Sequence, residues 1–588
     1  MKARQWQLFA LGILFMIIQT WLDLRLPDYM SRITEMVQTG TATNQGLAAM
    51  GGMMMLCAVG TTAMAIASNY ASSKMAASFS HDLRSDIFHK VQTFSKEEID
   101  RFSTASLITR STNDVVQIQN FVSRGLRMIV RAPIIIGLAL YKMSIRYWQW
   151  TGVTAMTVAL VLVVIVFVIK YAHPRFRRMQ KLTDEVNRAM RENMTGMRVI
   201  RAYNAADYQM HEFKEASENL MDNERKARVM LQLMPSTNQF ANNALTVAIY
   251  AIGAYLIATA ANAGEQLAIF TDMVVFSTYA AKMIQGVSSL EMVFNMLPRA
   301  TTSSERVFEI LETDTSINPG DRHDPKPGKD GTVEFRHVSF RYPETADMAL
   351  EDISFVAEKG QTVGIIGSTA SGKTSLVNLI PRLYDATKGD VFVDGINVKD
   401  FDTTALRSRL SYVPQGAVLF TGTVATNVAY GRVTGRKMPE PGTEEYEKKV
   451  WDAITIAQAR EFVEGKMEQG MESPVFRGGT NVSGGQKQRL AIARAVYRKP
   501  EIYIFDDAFS ALDYKTDRTL RDELKKAEGD ATVIVVASRI ATIRDADKIL
   551  VMDEGRIVGE GTHEELMENC KVYQEIAYTQ LSPEELAS

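Results

Sequence analysis

Cysteine is almost absent from this chain: Cys57 and Cys570 are the two in 588 residues, far apart and outside any CxxC spacing. That excludes a disulfide framework and a cysteine-based zinc site. A basic excess is missing too, since 66 Lys and Arg stand against 68 Asp and Glu for a net charge of −2, so the footprint of a general nucleic-acid binder is lacking. With 46% hydrophobic and 23% charged residues the composition is not that of a disordered chain. The length exceeds what one hydrophobic core holds, so at least two domains are expected. The mean hydropathy near zero averages two unlike halves.

Residues 1–300 contain six predominantly apolar stretches of the roughly 17–25 residues that a helix needs to cross about 30 Å of hydrocarbon. They lie near 6–26, 47–70, 127–145, 151–171, 240–261 and 266–290. The run 154–169 has no charge at all and is too long for a strand despite its β-branched residues. Six such runs in series read as membrane helices. The connections at 71–126 and 172–239 hold roughly twenty Lys and Arg, against about two in the connections after the first, third and fifth runs. This asymmetry places the N-terminus, with Lys2 and Arg4, in the cytoplasm of a multi-pass cell-membrane protein. The basic connections are helix-periodic, as at 181–190, and read as helices continuing beyond the membrane. No cleavable signal peptide is expected, because the first run leads into Leu26-Pro27-Asp28 without a small-residue cleavage site. Polar exceptions in or beside the runs are Arg131, Lys142, Asn242, Asn243, Asp272 and Lys282. Ionisable groups at such depth read as functional by default: Asp272 is either a contact for cationic cargo or a helix-end or ion-pair residue.

After Pro298 the composition changes. Residues 299–312 read as a charged connecting helix and 313–330, with Pro319, Gly320, Pro325, Pro327 and Gly328, as a turn-rich linker. The expected organisation is a transmembrane domain over 1–312, a linker over 313–330 and a second domain over 331–588. Beyond Gly331 short β-branched runs at 362–366, 502–505 and 532–536 alternate with helical stretches, the pattern of an α/β domain with buried parallel strands. The first runs into Gly367-Ser368-Thr369-Ala370-Ser371-Gly372-Lys373-Thr374 and then Ser375, a complete phosphate-binding loop in the required strand–loop–helix order. Its glycines let backbone N–H groups wrap phosphates, Lys373 reaches the β- and γ-phosphates, and Thr374 serves Mg2+. ATP and Mg2+ are the expected ligands. Further on, four apolar residues end in Asp506, a second Mg2+ carboxylate at a strand tip.

Between these lies Asn481-Val482-Ser483-Gly484-Gly485-Gln486-Lys487-Gln488-Arg489, which resembles the LSGGQ signature of the ATP-binding-cassette (ABC) family. The family's order is also present: Tyr342 in Phe340-Arg341-Tyr342-Pro343, the phosphate loop, Gln415, the signature, Asp506, then Ser510-Ala511-Leu512-Asp513. Segments 100–114 and 196–204 are similar to those flanking the family's coupling helices. The resemblance implies an exporter half with an all-α six-helix transmembrane domain followed by an α/β ABC ATPase domain. In such halves, ATP sits between the phosphate loop of one chain and the signature of another. It further implies that Tyr342 stacks on adenine and that Ser483, Gly484, Gly485 and Gln486 cap the partner's γ-phosphate. Gln415 would join the metal shell and link the nucleotide to the membrane helices, and Asp513 would communicate across the interface. Taken alone, Tyr342 reads as a half-buried strand aromatic and Gln415 as a surface amide; the fixed order assigns them these roles.

Two positions depart from the family pattern. Competent sites of the family carry Glu directly after the Asp that stands here at 506, where it polarises the attacking water, but this chain has Asp507, one methylene shorter. A general base works within about 3 Å of its proton, and a shift of about 1 Å costs on the order of a hundredfold in rate. The family's switch histidine is replaced by Ser538 in Val536-Ala537-Ser538-Arg539-Ile540. A site that binds ATP and hydrolyses it slowly is expected. The expected partner is a second ABC half bearing that Glu and His, with this chain's signature completing the competent site. The expected cargo is a drug or other hydrophobic or amphipathic compound, in contact with membrane lipids. A lipid or peptide exporter with the same engine, or a nucleotide-gated regulator without net transport, stays open at this point.

Overall fold

The computed structural model describes residues 2–580 apart from 146, 344, 432 and 528. The expected second domain therefore runs, in its last eight residues, outside the described residues. Packing divides the chain into two units, one of Met1–Gln92 with Thr104–Thr313 and one of Thr93–Ser103 with Asp314–Ser588.

The first unit is helical. Asn44–Thr93, Trp148–Thr195, Ala206–Thr259 and Ala263–Glu312 hold 50, 48, 54 and 50 residues. At 1.5 Å per residue each reaches about 70–80 Å, more than twice the hydrocarbon thickness. Within the basic connections, 71–93, 172–195 and 206–239 are thus extensions of apolar helices. Among the described residues five helical segments are long and apolar enough to cross a membrane. The run expected at 127–145 is also a helix, Leu126–Ser144, but Arg127, Arg131 and Lys142 dilute its apolar character.

The first run breaks into Ala3–Asp23 and Leu26–Gln38, with Pro27 in the opening turn of the second piece. A break frees backbone carbonyls that need partners, and the two expected intramembrane lysines gather there. Lys142 Nζ and the Tyr279 hydroxyl both donate to the Leu24 carbonyl, at 2.8 and 3.1 Å. Lys142 also pairs with Asp28, which accepts the Tyr279 hydroxyl at 2.6 Å, and Lys282 pairs with Asp23 at 2.7 Å. Asp272 is half-buried on the last helix and is not free. The unit's apolar core centres on Trp150, fully buried against Phe276 with its indole N–H donating to the Ile249 carbonyl at 3.0 Å.

In the second unit the expected strands form Thr362–Gly367, Ile502–Asp506 and Thr532–Val536. They sit in a six-stranded sheet whose order is Arg556–Gly561, Lys548–Asp553, Thr362–Gly367, Thr532–Val536, Ile502–Asp506, Leu410–Val413. All neighbours are parallel except the outermost pair, Lys548–Asp553 with Arg556–Gly561. Strand side chains alternate between faces, so Ile502 and Ile504 enter one apolar cluster and Tyr503 and Phe505 the other. Covering both faces is what makes these strands near-continuously apolar. An antiparallel sheet, including Val333–Phe340 and Leu350–Ala357, packs on one side.

Candidate functional site

Ligands of open parallel sheets bind beyond the carboxyl ends of the strands. Four adjacent strands here end in the residues singled out from sequence. Thr362–Gly367 opens into the phosphate loop and Ile502–Asp506 ends in Asp506 and Asp507. Thr532–Val536 leads to Ser538, and Leu410–Val413 leads to Gln415. Parallel register brings these strand ends to one edge, which is how residues 170 positions apart in the chain come to share a site.

The loop is shaped for close backbone approach. A Cβ on Gly367 would lie 2.0 Å from the Met552 carbonyl oxygen, and on Gly372, at φ +95°, 2.6 Å from that of Ala349. Ser368, Thr369 and Ala370 are exposed at the loop's tip, Ala370 with φ 66°, while Ser371 is buried beneath them. Lys373 Nζ donates to the Gly367 and Ser368 carbonyls at 2.9 and 2.7 Å and to the Ser371 hydroxyl at 3.3 Å. These are neutral acceptors, which a phosphate oxygen outcompetes through charge-assisted bonding. Burial lowers the Lys373 ammonium pKa against the opposing pull of Asp507 and Asp506.

Thr374 donates its hydroxyl to Asp506 Oδ1 at 3.0 Å, and Tyr412 donates to Asp506 Oδ2 at 3.2 Å. Burial pushes the Asp506 carboxyl above its ordinary range, opposed by these two bonds. A hydroxyl beside a carboxylate is the hard-oxygen pair that Mg2+ uses together with phosphates, so the residues fit the expected ion. Tyr412 was not legible as a site residue, because only the pleat decides which face its ring takes; its one signal is its place in the strand just before Gln415.

Asp507 has both oxygens engaged. Ser538 donates its hydroxyl to Oδ1 at 2.6 Å, and Gln415 Nε2 donates to Oδ2 at 3.4 Å. Its backbone lies at φ 49°, a left-handed position that Asp adopts more readily than most residues. Tyr342 is tied to the loop helix through a 2.9 Å contact between its hydroxyl and that of buried Ser375.

The signature residues form a second group. Ser483 caps the Gly484–Arg498 helix in a reciprocal arrangement: the Ser483 N–H donates to Gln486 Oε1 at 2.9 Å and the Gln486 N–H to Ser483 Oγ at 3.4 Å. Gly484 faces open space, and a Cβ on Gly485 would stand 3.2 Å from the Ala511 carbonyl oxygen. Asp513 accepts the Thr516 N–H and hydroxyl at 3.0 and 2.7 Å, bonds that hold its carboxyl below the usual range. The exposed start of a helix whose first turn carries Gly484 and Gly485 suits a phosphate.

Comparison with known proteins agrees with this arrangement. A family model described as the ABC transporter transmembrane region matches residues 9–285, and one described as ABC transporter matches 350–510. An uncharacterized ABC transporter ATP-binding protein of Mycobacterium tuberculosis is 38% identical over 585 residues, 98% of this chain and 96% of its own. This chain belongs to the ABC transporter family. Another relative in the family, the ATP-dependent lipid A-core flippase of Pseudomonas putida, is 31% identical over 85% of this chain and 80% of its own. A solved bacterial Atm1-family ABC exporter with ATP bound superposes with a TM-score of 0.79, covering 97% of both chains at 21% identity. The fold is that of an ABC exporter half, a helical transmembrane region joined to an α/β ATP-binding domain.

Proposed function

We propose that this chain is the slow-site half of a heterodimeric ATP-driven exporter in the cell membrane, with its N-terminus and ATP-binding domain in the cytoplasm. The carrying observation is the Gln415–Asp507–Ser538 arrangement. The carboxylate at the position of the general base is short, and the serine at the switch position holds one of its oxygens. A hydroxyl at that position lacks the reach and the second ring nitrogen of an imidazole. Lys373, Thr374, Asp506 and Gln415 would hold Mg2+-ATP, the ion neutralising charge on phosphate oxygens. Tyr342 would carry the adenine, while Ser483 to Gln486 and Asp513 serve the partner's site. Two copies of this chain would share the same defect, so the partner is read as a different half with Glu and His. Its cargo is read as hydrophobic or amphipathic. A lipid is the second reading of the cargo, favoured by relatives named as lipid A-core flippases.

The test is restoration. Asp507→Glu with Ser538→His, introduced together with Ser483→Arg so that the partner's site is silent, should raise phosphate release from the purified complex by about tenfold or more. An unchanged rate removes the argument for a crippled site. Affinity purification from native membranes should recover a second ABC half in equal amount, and recovery of this chain alone with vigorous hydrolysis defeats the heterodimer.

A further inference from the structure

Residues 93–103 pack with the ATP-binding unit, although in the chain they join the Asn44–Thr93 helix to the helical run beginning at Thr104. Two contacts tie them to the linker: the Ser95 and Ser316 hydroxyls meet at 2.9 Å, and the Ser316 N–H donates to Glu98 Oε1 at 2.8 Å. A third goes deeper. Tyr384, 7% exposed, donates its hydroxyl to Asp100 Oδ2 at 2.8 Å. The same ring stands edge-on to Tyr342, centroids 5.3 Å apart at 87°, and against Phe340 at 5.5 Å. Tyr342 in turn contacts Ser375 at the start of the phosphate-loop helix. Burial and the Asp100 carboxylate both raise the Tyr384 phenol pKa, so it remains a donor.

Ser375, Tyr342, Tyr384 and Asp100 therefore form one unbroken line of contacts. We propose that Tyr384 is a positioning residue that reports adenine stacked on Tyr342 to the 93–103 segment through its bond to Asp100. This rests on the reading of Tyr342 as the adenine platform. A purine on one face of Tyr342 restricts its ring, the edge-to-face pair transfers that restriction to Tyr384, and the charge-assisted bond to Asp100 makes the outcome directional. The signal is read from the base, separately from the phosphates that the loop holds. Asp100 also pairs with Lys96, so loss of the tyrosine bond leaves the carboxylate with a partner and the segment able to fold.

The experiment is hydrogen exchange of the 93–103 amides in the full-length protein in lipid nanodiscs. ATP should slow exchange about fivefold or more, whereas inorganic tripolyphosphate, at concentrations that displace a fluorescent ATP analogue, should slow it less than about twofold. Tyr384→Phe should keep ATP affinity within about twofold and lose the ATP-dependent slowing, and Asp100→Ala should lose it as well. Full slowing in Tyr384→Phe, or equal slowing by tripolyphosphate in the wild type, overturns the relay. Failure of the platform reading looks different: Tyr342→Ala would then bind ATP as tightly as the wild type, where a loss of about tenfold is expected.

Discussion

Asp507 stands one methylene short of the Glu that the family pattern carries after Asp506. The residue keeps the strand-end position, and Ser538 and Gln415 occupy its two oxygens. The chain reads as depositing the carboxylate at the right address with too short an arm. A second carboxylate, Asp394, has no role in the ATP site but sets a pH response. It is fully buried, accepts the Gly331 N–H at 2.8 Å, and lies 3.2 Å from Arg409, which Glu501 shares. Burial and Glu501 outweigh the arginine and raise its pKa to about 7. An acid raised in the folded state binds its proton more tightly there than in the unfolded chain. Its stability contribution is therefore full at low pH and is lost as pH rises from about 4 to about 7. Asp394→Asn should flatten the fall in melting temperature of the ATP-binding domain across that window; an unchanged slope assigns the pH dependence to other groups.

The glycines and Lys373 of the phosphate loop were legible because spacing alone encodes them. The support of the helix break at Leu24 and Arg25 was not, since Asp23, Arg25 and Pro27 mark the end of the first apolar run without saying which groups satisfy it. What stabilises the break is remote in the chain: Lys142, Tyr279 and Lys282, from two later helices. The two lysines, flagged as intramembrane ionisable groups, thus serve the helix break. Replacing Lys282 with Met should leave Asp23 without its cation and lower the stability of the detergent-solubilised protein by about 2 kcal/mol. Asp23→Asn in the same protein should recover part of that loss. A melting temperature for Lys282→Met equal to that of the wild type would mean that the pair is solvated and contributes nothing.

For the assembled transporter, the decisive prediction concerns the signature. Ser483→Arg places a long cation at the helix start that is read as capping the partner's nucleotide. It should remove about nine-tenths or more of the complex's hydrolysis while leaving ATP binding at this chain's own loop intact, measured by photolabelling of Lys373's loop. Retained hydrolysis places the competent site elsewhere.

Local spacing already specified a membrane half and an α/β ATP-binding half, because both apolar run length and the phosphate loop are encoded in consecutive residues. The two missing groups at 507 and 538 were equally plain, being deviations from a fixed order. Three things required the folded chain: Tyr412 beside Asp506, the tyrosine line to Asp100, and the lysines at the helix break. Each depends on which face of a strand or helix a side chain takes and on partners more than 90 positions away. Sheet register and helix packing set those relations, and no run of neighbouring residues carries them.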